Sequence, residues 1–261
     1  MSRKLWFVIV LIILAAIGLF LANYFLDRRP PDRAAIVSGH PEWPPIMYQA
    51  GDKIVGAGPE IITKALADLG LIAEFKAVGS WDVAQEKARS GEVDFLVAAY
   101  LTKEREEYMD YSIPYTVDPI SLVVKADSEF PYEKWTDLVG KKGVVMVGDS
   151  YGQQFDTFIK DNLDVQVVNS AAAAFDMIVS GQADYFVYAL YSAEKDIAQN
   201  NRSGQVKILP EYVSTENFYL TVSKKSPFAR YLPEINERLQ QYKDGGTIDG
   251  IINAHKELLW K

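Results

Sequence analysis

Residues 97–115 read VAAYLTKEREEYMDYSIPY and hold the residue most able to recognise a charged solute. An apolar run of Val97, Ala98 and Ala99 passes through Tyr100 into a Thr102-x-x-Arg105 step, a short charged turn, and an exit through Ser112 to Pro114-Tyr115. This spacing sets Arg105 just past the carboxyl end of a strand, which is where open α/β sheets bind ligands. A guanidinium offers a rigid fork of donors that fits both oxygens of a carboxylate. The same spacing also allows a plain surface helix on which Arg105 pairs with Glu104 or Glu106. A second candidate is the turn Gly148-Asp149-Ser150-Tyr151-Gly152, which leads into a helix. Unpaired N–H groups at such a start suit an anion, although capping by Asp149 or Ser150 is the commoner use of these residues.

Catalysis has little support in the residue types. The two histidines, His40 and His255, are far apart in sequence, and there is no cysteine. Disulfides, thiolate metal sites and cysteine nucleophiles are therefore excluded. No His/Asp/Glu cluster has metal spacing and no serine has a sequence-adjacent base, so neither a cofactor nor an enzyme activity is expected.

The elements that must position these residues alternate between strands and helices. Strand 35–38 is followed by a loop, 39–45, that carries His40, Glu42 and Trp43, and Gly51-Asp52 reads as a turn. Pro59 suits a helix's first turn, and Ile61, Ile62, Ala65, Leu66 and Leu69 make one apolar face ended by Gly70. A strand over 71–78 follows, and Trp81 opens the next helix. An internal echo then appears: 90–97 reads SGEVDFLV and 180–187 reads SGQADYFV. Each copy gives a helix end, a glycine cap, an aspartate and a buried strand, which implies two similar lobes in an α/β fold.

The second lobe is expected from about Asp118-Pro119, with strands 120–125, 143–147, 165–169, 184–188 and 206–209 and helices 153–158 and 171–180. Residues 218–223 return the chain to the first lobe. Two crossings, near 116–119 and 213–218, make a hinge about which the lobes can close on a ligand. Helices over 227–242 and 248–259 are expected to pack on the first lobe. The expected organisation is residues 1–33 as anchor and linker, 34–117 with 218–261 as one lobe, and 118–217 as the other.

Residues 5–26 are almost wholly apolar and long enough, at about 1.5 Å per residue, to cross a ~30 Å hydrocarbon core. The stretch is longer than the usual apolar region of a cleaved signal peptide, so an uncleaved anchor is expected; Ala16-Ile17-Gly18 offers a small-x-small site, and release to the periplasm after cleavage is the alternative. Basic residues lie on both sides, and orientation is not fixed by them. The net charge is −8, and residues 1–33 carry five basic against two acidic residues. The remainder is thus strongly acidic, a poor partner for nucleic acid or anionic lipid.

Taken in order, the TKER…DYSIPY run, Val55 to Glu60, Ser80-Trp81-Asp82, Trp135 to Lys142 and Asp244-Gly245-Gly246-Thr247 resemble the motifs of the family 3 extracellular solute-binding proteins. The likeness spans nearly everything after Asp32. It implies a two-lobe periplasmic-binding-protein clamshell, outside the cytoplasm, that captures a small carboxylate-bearing solute as a monomer and delivers it to an ABC permease. By the same resemblance Arg105 takes the carboxylate, helped by Ser150 with Tyr151 in the second-lobe turn, and Thr102 fixes Arg105. Trp43 and Trp81 stand where the family has aromatic walls, and Ala98 where many members have serine or glycine.

Departures from the pattern qualify the ligand. The aspartate that usually holds an ammonium is replaced by Ala189, an acidic first-loop position by His40, and a serine by Tyr100. A desolvated ammonium without a carboxylate costs several kcal/mol. Trp43, Trp81, Tyr100, Tyr151, Tyr188 and Tyr191 instead crowd the expected cleft, with Glu42 or Asp149 as possible counter-charges. The expected ligand is a small organic carboxylate, aromatic or lacking a free amine. Two other readings are a tethered sensor module for a membrane signalling partner and a cyclohexadienyl dehydratase-like enzyme.

Overall fold

The computed structural model describes residues 13–17 and 31–259. The chain forms two compact units, Met1–Arg33 and Ala34–Lys261. In the first, residues 13–17 are helical; the rest of the apolar stretch 5–26 lies outside the described residues. Among the described residues no helix is long and apolar enough to cross a membrane.

The second unit is built on one nine-stranded sheet. One end is parallel: β1 (Ala35–Ser38) lies between β5 (Ala73–Phe75) and β6 (Phe95–Ala99). The other end is parallel too, with β8 (Lys142–Met146) between β9 (Asp164–Val168) and β10 (Tyr185–Ala189). These ends belong to two lobes, joined by two long antiparallel strands, β7 (Met109–Lys125) and β12 (Ser214–Ser223). Short β11 (Val206–Ile208) completes the sheet beside β7. A separate three-stranded sheet holds β2 (Glu42–Trp43), β3 (Met47–Ala50) and β4 (Lys53–Val55), with a cis Pro44–Pro45 bond between its first two strands.

The echo in the sequence is an echo in space. Helix α2 (Trp81–Ser90) ends on Gly91 and helix α5 (Ala171–Ser180) on Gly181, both left-handed, at φ 90° and 72°. Each leads into a strand, β6 or β10, buried at every position, as expected of strands covered on both faces. The aspartate before each strand ties it to its parallel neighbour: Ile36 N–H donates to Asp94 Oδ2 at 2.8 Å, and Lys142 N–H to Asp184 Oδ2 at 2.7 Å. Asp94 is fully buried and also accepts from the Ser226 hydroxyl, whereas Asp184 is exposed. Asp94→Ala is therefore expected to cost roughly 1–3 kcal/mol in urea unfolding and Asp184→Ala under about 1 kcal/mol. Equal losses would contradict this difference in burial.

Helix α1 (Ala57–Ala67) buries Ile61, Ile62, Ala65 and Leu66, as its pattern predicts. Gly56, at φ 126°, brings the chain against the small sheet; a Cβ there would meet the Ile46 carbonyl oxygen at 2.6 Å. Helices α7 (Leu232–Asp244) and α8 (Thr247–Leu259) pack on α1, where Tyr242 donates to Asp68 and His255 contacts Glu60. The small sheet β2–β4 forms where the sequence reading placed only a loop and a turn, and two further elements differ from it. The strand expected to begin at Ile120 is the second half of β7, which runs unbroken through both lobes. A helix, α6 (Leu190–Gln199), also follows β10 directly.

Candidate functional site

The chain just past the carboxyl ends of β1, β6 and β8 brings His40, Tyr100 and Asp149 to one space. Arg105 arrives on the short helix α3 (Lys103–Glu106), whose first turn Thr102 caps by accepting from Arg105 N–H at 3.2 Å. Thr102 thus fixes the backbone under Arg105, not its guanidinium. Arg105 is 5 % exposed as a residue. Its Nε donates to Gln85 Oε1 (2.8 Å), Nη1 to the Tyr100 carbonyl and Nη2 to the Gly148 carbonyl (both 3.2 Å), and the Trp81 ring lies 5.4 Å from Cζ. All three acceptors are neutral. Glu104 pairs with Arg89 instead, so the surface-helix reading of Arg105 does not hold.

Behind Arg105 the aromatic side chains have closed on each other. Trp43 sits edge-on to His40, Tyr100, Tyr188 and Phe218, with ring centres 4.9–6.5 Å apart. Tyr100 stacks on Phe218 at 4.9 Å. The space left among His40, Trp43, Trp81, Ala98, Tyr100 and Arg105 is about 20 Å³, room for about one water. An opening of about 510 Å³ lies outside it, lined by Asp82, Arg105, Gly148, Asp149, Ser150 and Asp156 among others.

Asp118 is the polar centre of this packing, and sequence reasoning marked it only as the lobe junction. It is 2 % exposed, and its Oδ2 accepts from Trp43 Nε1 (2.6 Å) and from the Tyr100 hydroxyl (2.5 Å). Burial pushes its carboxyl up to about 7, against the pull of those two donors. Burial, reinforced by the neighbouring Asp118, holds the Tyr100 phenol well above its usual range.

Contacts across the lobes are dense. His40 Nδ1 accepts from Glu42 N–H (2.9 Å), which makes Nε2 the protonated nitrogen and the donor to Asp149 Oδ1 (3.0 Å). Glu42 Oε2 accepts from Ala171 N–H at the start of α5, a favourable place for a carboxylate. Tyr188 donates to the Glu42 carbonyl, Ser192 to the Pro44 carbonyl and Gln85 to the Gly148 carbonyl.

The remaining expected residues are placed as follows. Ala98 is buried against the inner space, and Ala189 is buried opposite Ile120 with no acidic group of its own. Ser150 donates to Asp156, whose carboxyl burial pushes up, and so does not present a spare proton to the cleft. Tyr151 is not a cleft residue: it turns into the second lobe, where its hydroxyl accepts from Met146 N–H at 3.0 Å. Tyr191 lies under the Lys256 ammonium, 3.7 Å away, outside the cleft. Among the described residues no group of three or more His, Cys, Asp or Glu is placed to hold a metal.

Two α/β lobes on a pair of crossing strands, closed around a buried arginine, define a solute-binding clamshell. Residues 36–256 match the model of the bacterial extracellular solute-binding proteins, family 3, and the chain belongs to that family. It is 22 % identical over 214 residues to the L-cystine-binding protein TcyJ of Escherichia coli (strain K12), covering 80 % of this chain and 77 % of that one. It is 23 % identical over 147 residues to the virulence sensor protein BvgS of Bordetella pertussis (strain Tohama I), covering 56 % of this chain and 12 % of BvgS. Among solved structures, an ancestral arginine-binding protein bound to arginine superposes with a TM-score of 0.72 at 28 % identity, covering 85 % of this chain and 97 % of that one.

Proposed function

We propose that this protein captures a small carboxylate-bearing solute, an amino acid or a related organic acid, by closing residues 34–117 with 218–261 upon residues 118–217. The observation that carries this reading is Arg105. Arg105, 5 % exposed and with no carboxylate bonded to its guanidinium among the described residues, is a buried cation awaiting its counter-charge. Three of its five N–H groups are engaged by neutral oxygens, and those bonds can be exchanged for stronger ones to a carboxylate. Trp81 backs the guanidinium, and Ala98 and Tyr100 shape the space behind it. Membership of the family supports delivery of the solute to an ABC permease from outside the cytoplasm; the length of the apolar stretch 5–26 supports an anchor, and the chain is proposed to act as a monomer. The likeness to part of BvgS supports a second reading, in which the closed form signals to a membrane partner.

The test is thermal unfolding of the full chain against amino acids, amines and organic acids, repeated with Arg105→Ala. A ligand at 100 times its Kd adds about 2.7 kcal/mol, roughly 5–10 °C in midpoint for a chain of this size. Arg105→Ala is expected to abolish the shift. If the wild type unfolds cooperatively and no compound moves its midpoint, the capture reading is lost.

A further inference from the structure

The wall of the outer opening contains buried carboxylate oxygens that nothing bonds. Asp149 has a fully buried side chain; its Oδ1 takes the His40 N–H, while Oδ2 has no hydrogen-bond partner among the described residues. Asp82 Oδ1 is buried and unpartnered in the same way. The two come from different lobes and are brought together at Gly148, which at φ 76° lets the second-lobe turn press on helix α2. A Cβ on Gly148 would stand only 3.0 Å from Asp82 Cβ. A further carboxylate of this wall, the half-buried Asp156, is already bonded by the Ser150 hydroxyl and by Tyr151 N–H at 2.8 Å. Asp82 and Asp149 therefore remain the acceptors in need of donors. An unsatisfied buried carboxylate oxygen is expensive, and an ammonium or guanidinium is the donor that removes most of that cost.

We infer that Asp149, with Asp82, holds a cationic group of the ligand, in place of the carboxylate that Ala189 does not supply. This rests on the capture reading above and sharpens it: the ligand is bipolar, with its carboxylate at Arg105 and its cation at Asp149 and Asp82. It occupies the outer opening of about 510 Å³, because the inner aromatic space is filled by the protein's own side chains. The expectation of a ligand without an amine is thereby reversed. Ala189 removes one ammonium site, and the Gly148-Asp149 turn supplies another from the neighbouring strand end.

The test uses calorimetric titration of the full chain with three probes: L-arginine, which carries a carboxylate and cations; agmatine, which lacks the carboxylate; and glutarate, which lacks any cation. L-Arginine is expected to bind more tightly than either. Asp149→Asn keeps an oxygen for the His40 N–H and is expected to weaken L-arginine at least ten-fold while leaving glutarate no weaker, with Asp82→Asn acting in the same direction. The unliganded unfolding midpoint of Asp149→Asn should not fall, since the substitution keeps the His40 contact and replaces a buried oxygen that nothing bonds; a lowered midpoint would assign Asp149 a structural role and overturn the inference. L-Arginine affinity unchanged in both variants, or glutarate preferred by the wild type, also overturns it while leaving solute capture standing. Binding of none of these probes or of the wider panel removes both.

Discussion

Asp118→Asn is expected to stabilise the chain at neutral and alkaline pH and to change it little near pH 4. The reasoning follows the proton. Burial raises the Asp118 carboxyl from 3.8 to about 7 in the folded chain, so between these values the folded state holds a proton that the unfolded state has released. Such a group supports folding fully below the unfolded value, and its support is lost as pH rises through the folded one. The loss accumulates at about 1.4 kcal/mol per pH unit and levels off at a figure of the order of 4 kcal/mol above neutrality. Asparagine keeps an oxygen for both the Trp43 N–H and the Tyr100 hydroxyl and has nothing to ionise. Urea unfolding at pH 5 and pH 8.5 should show the gap between variant and wild type widening with pH. A gap that stays constant would mean that Asp118 is already ionised in the folded chain. Asp156, Asp196 and Glu216 are raised by burial as well, which gives the wild type the same acid-favouring slope and leaves Asp118 as the residue whose removal flattens it most.

Asp118 also marks where the sequence stops being legible. Helix faces, glycine stops and the doubled Ser-Gly-x-x-Asp unit are local patterns, and local backbone physics decides them, so α1, α2, α5, β6 and β10 lie close to where the spacing puts them. Of β7 the sequence reading places only 120–125 as strand and takes 116–119 as a crossing; Pro114 and Pro119 stand in the part it misses, and proline normally has no place inside a central strand. The structure accommodates Pro114 opposite Tyr219, where the register against β12 shifts, so a bulge absorbs what looked like a break. Nothing near Asp118 in sequence announces that it is buried. Its donors, Trp43 and Tyr100, lie 75 and 18 residues away and meet it only through the fold.

The cleft divides in the same way. Arg105 and its capping Thr102 were legible because a strand end followed by Thr-x-x-Arg is a local arrangement. The role of Tyr151 was not, because whether a turn residue faces a cleft or a core depends on one rotamer and a distant partner, here Met146. The filling of the aromatic space is likewise a property of packing between lobes. No count of aromatic residues distinguishes a box that receives a ring from one already occupied by Phe218 and Tyr188.

Trp43→Ala is expected to cost about 3–5 kcal/mol, the usual range for truncating a buried large aromatic. Trp43 is 4 % exposed and meets residues of both lobes and of the crossing strands, so its removal leaves a void where the lobes meet. It also takes one of two donors from Asp118, which raises that carboxyl further and adds to the loss at high pH. Because the void would be apolar on most sides, indole added to the variant should enter it and restore part of the lost midpoint, while leaving the wild type unmoved. Trp43→Phe separates the contributions: it keeps most of the ring packing and loses the Asp118 bond, and about 1–2 kcal/mol is expected, within the range for a hydrogen bond to a charged or buried acceptor. The measurement also reports on closure. If Trp43→Ala costs under about 1 kcal/mol and indole does nothing, Trp43 spends its time in solvent and the lobes rest apart. The clamshell would then need its solute to close, and the aromatic space would be open to receive it.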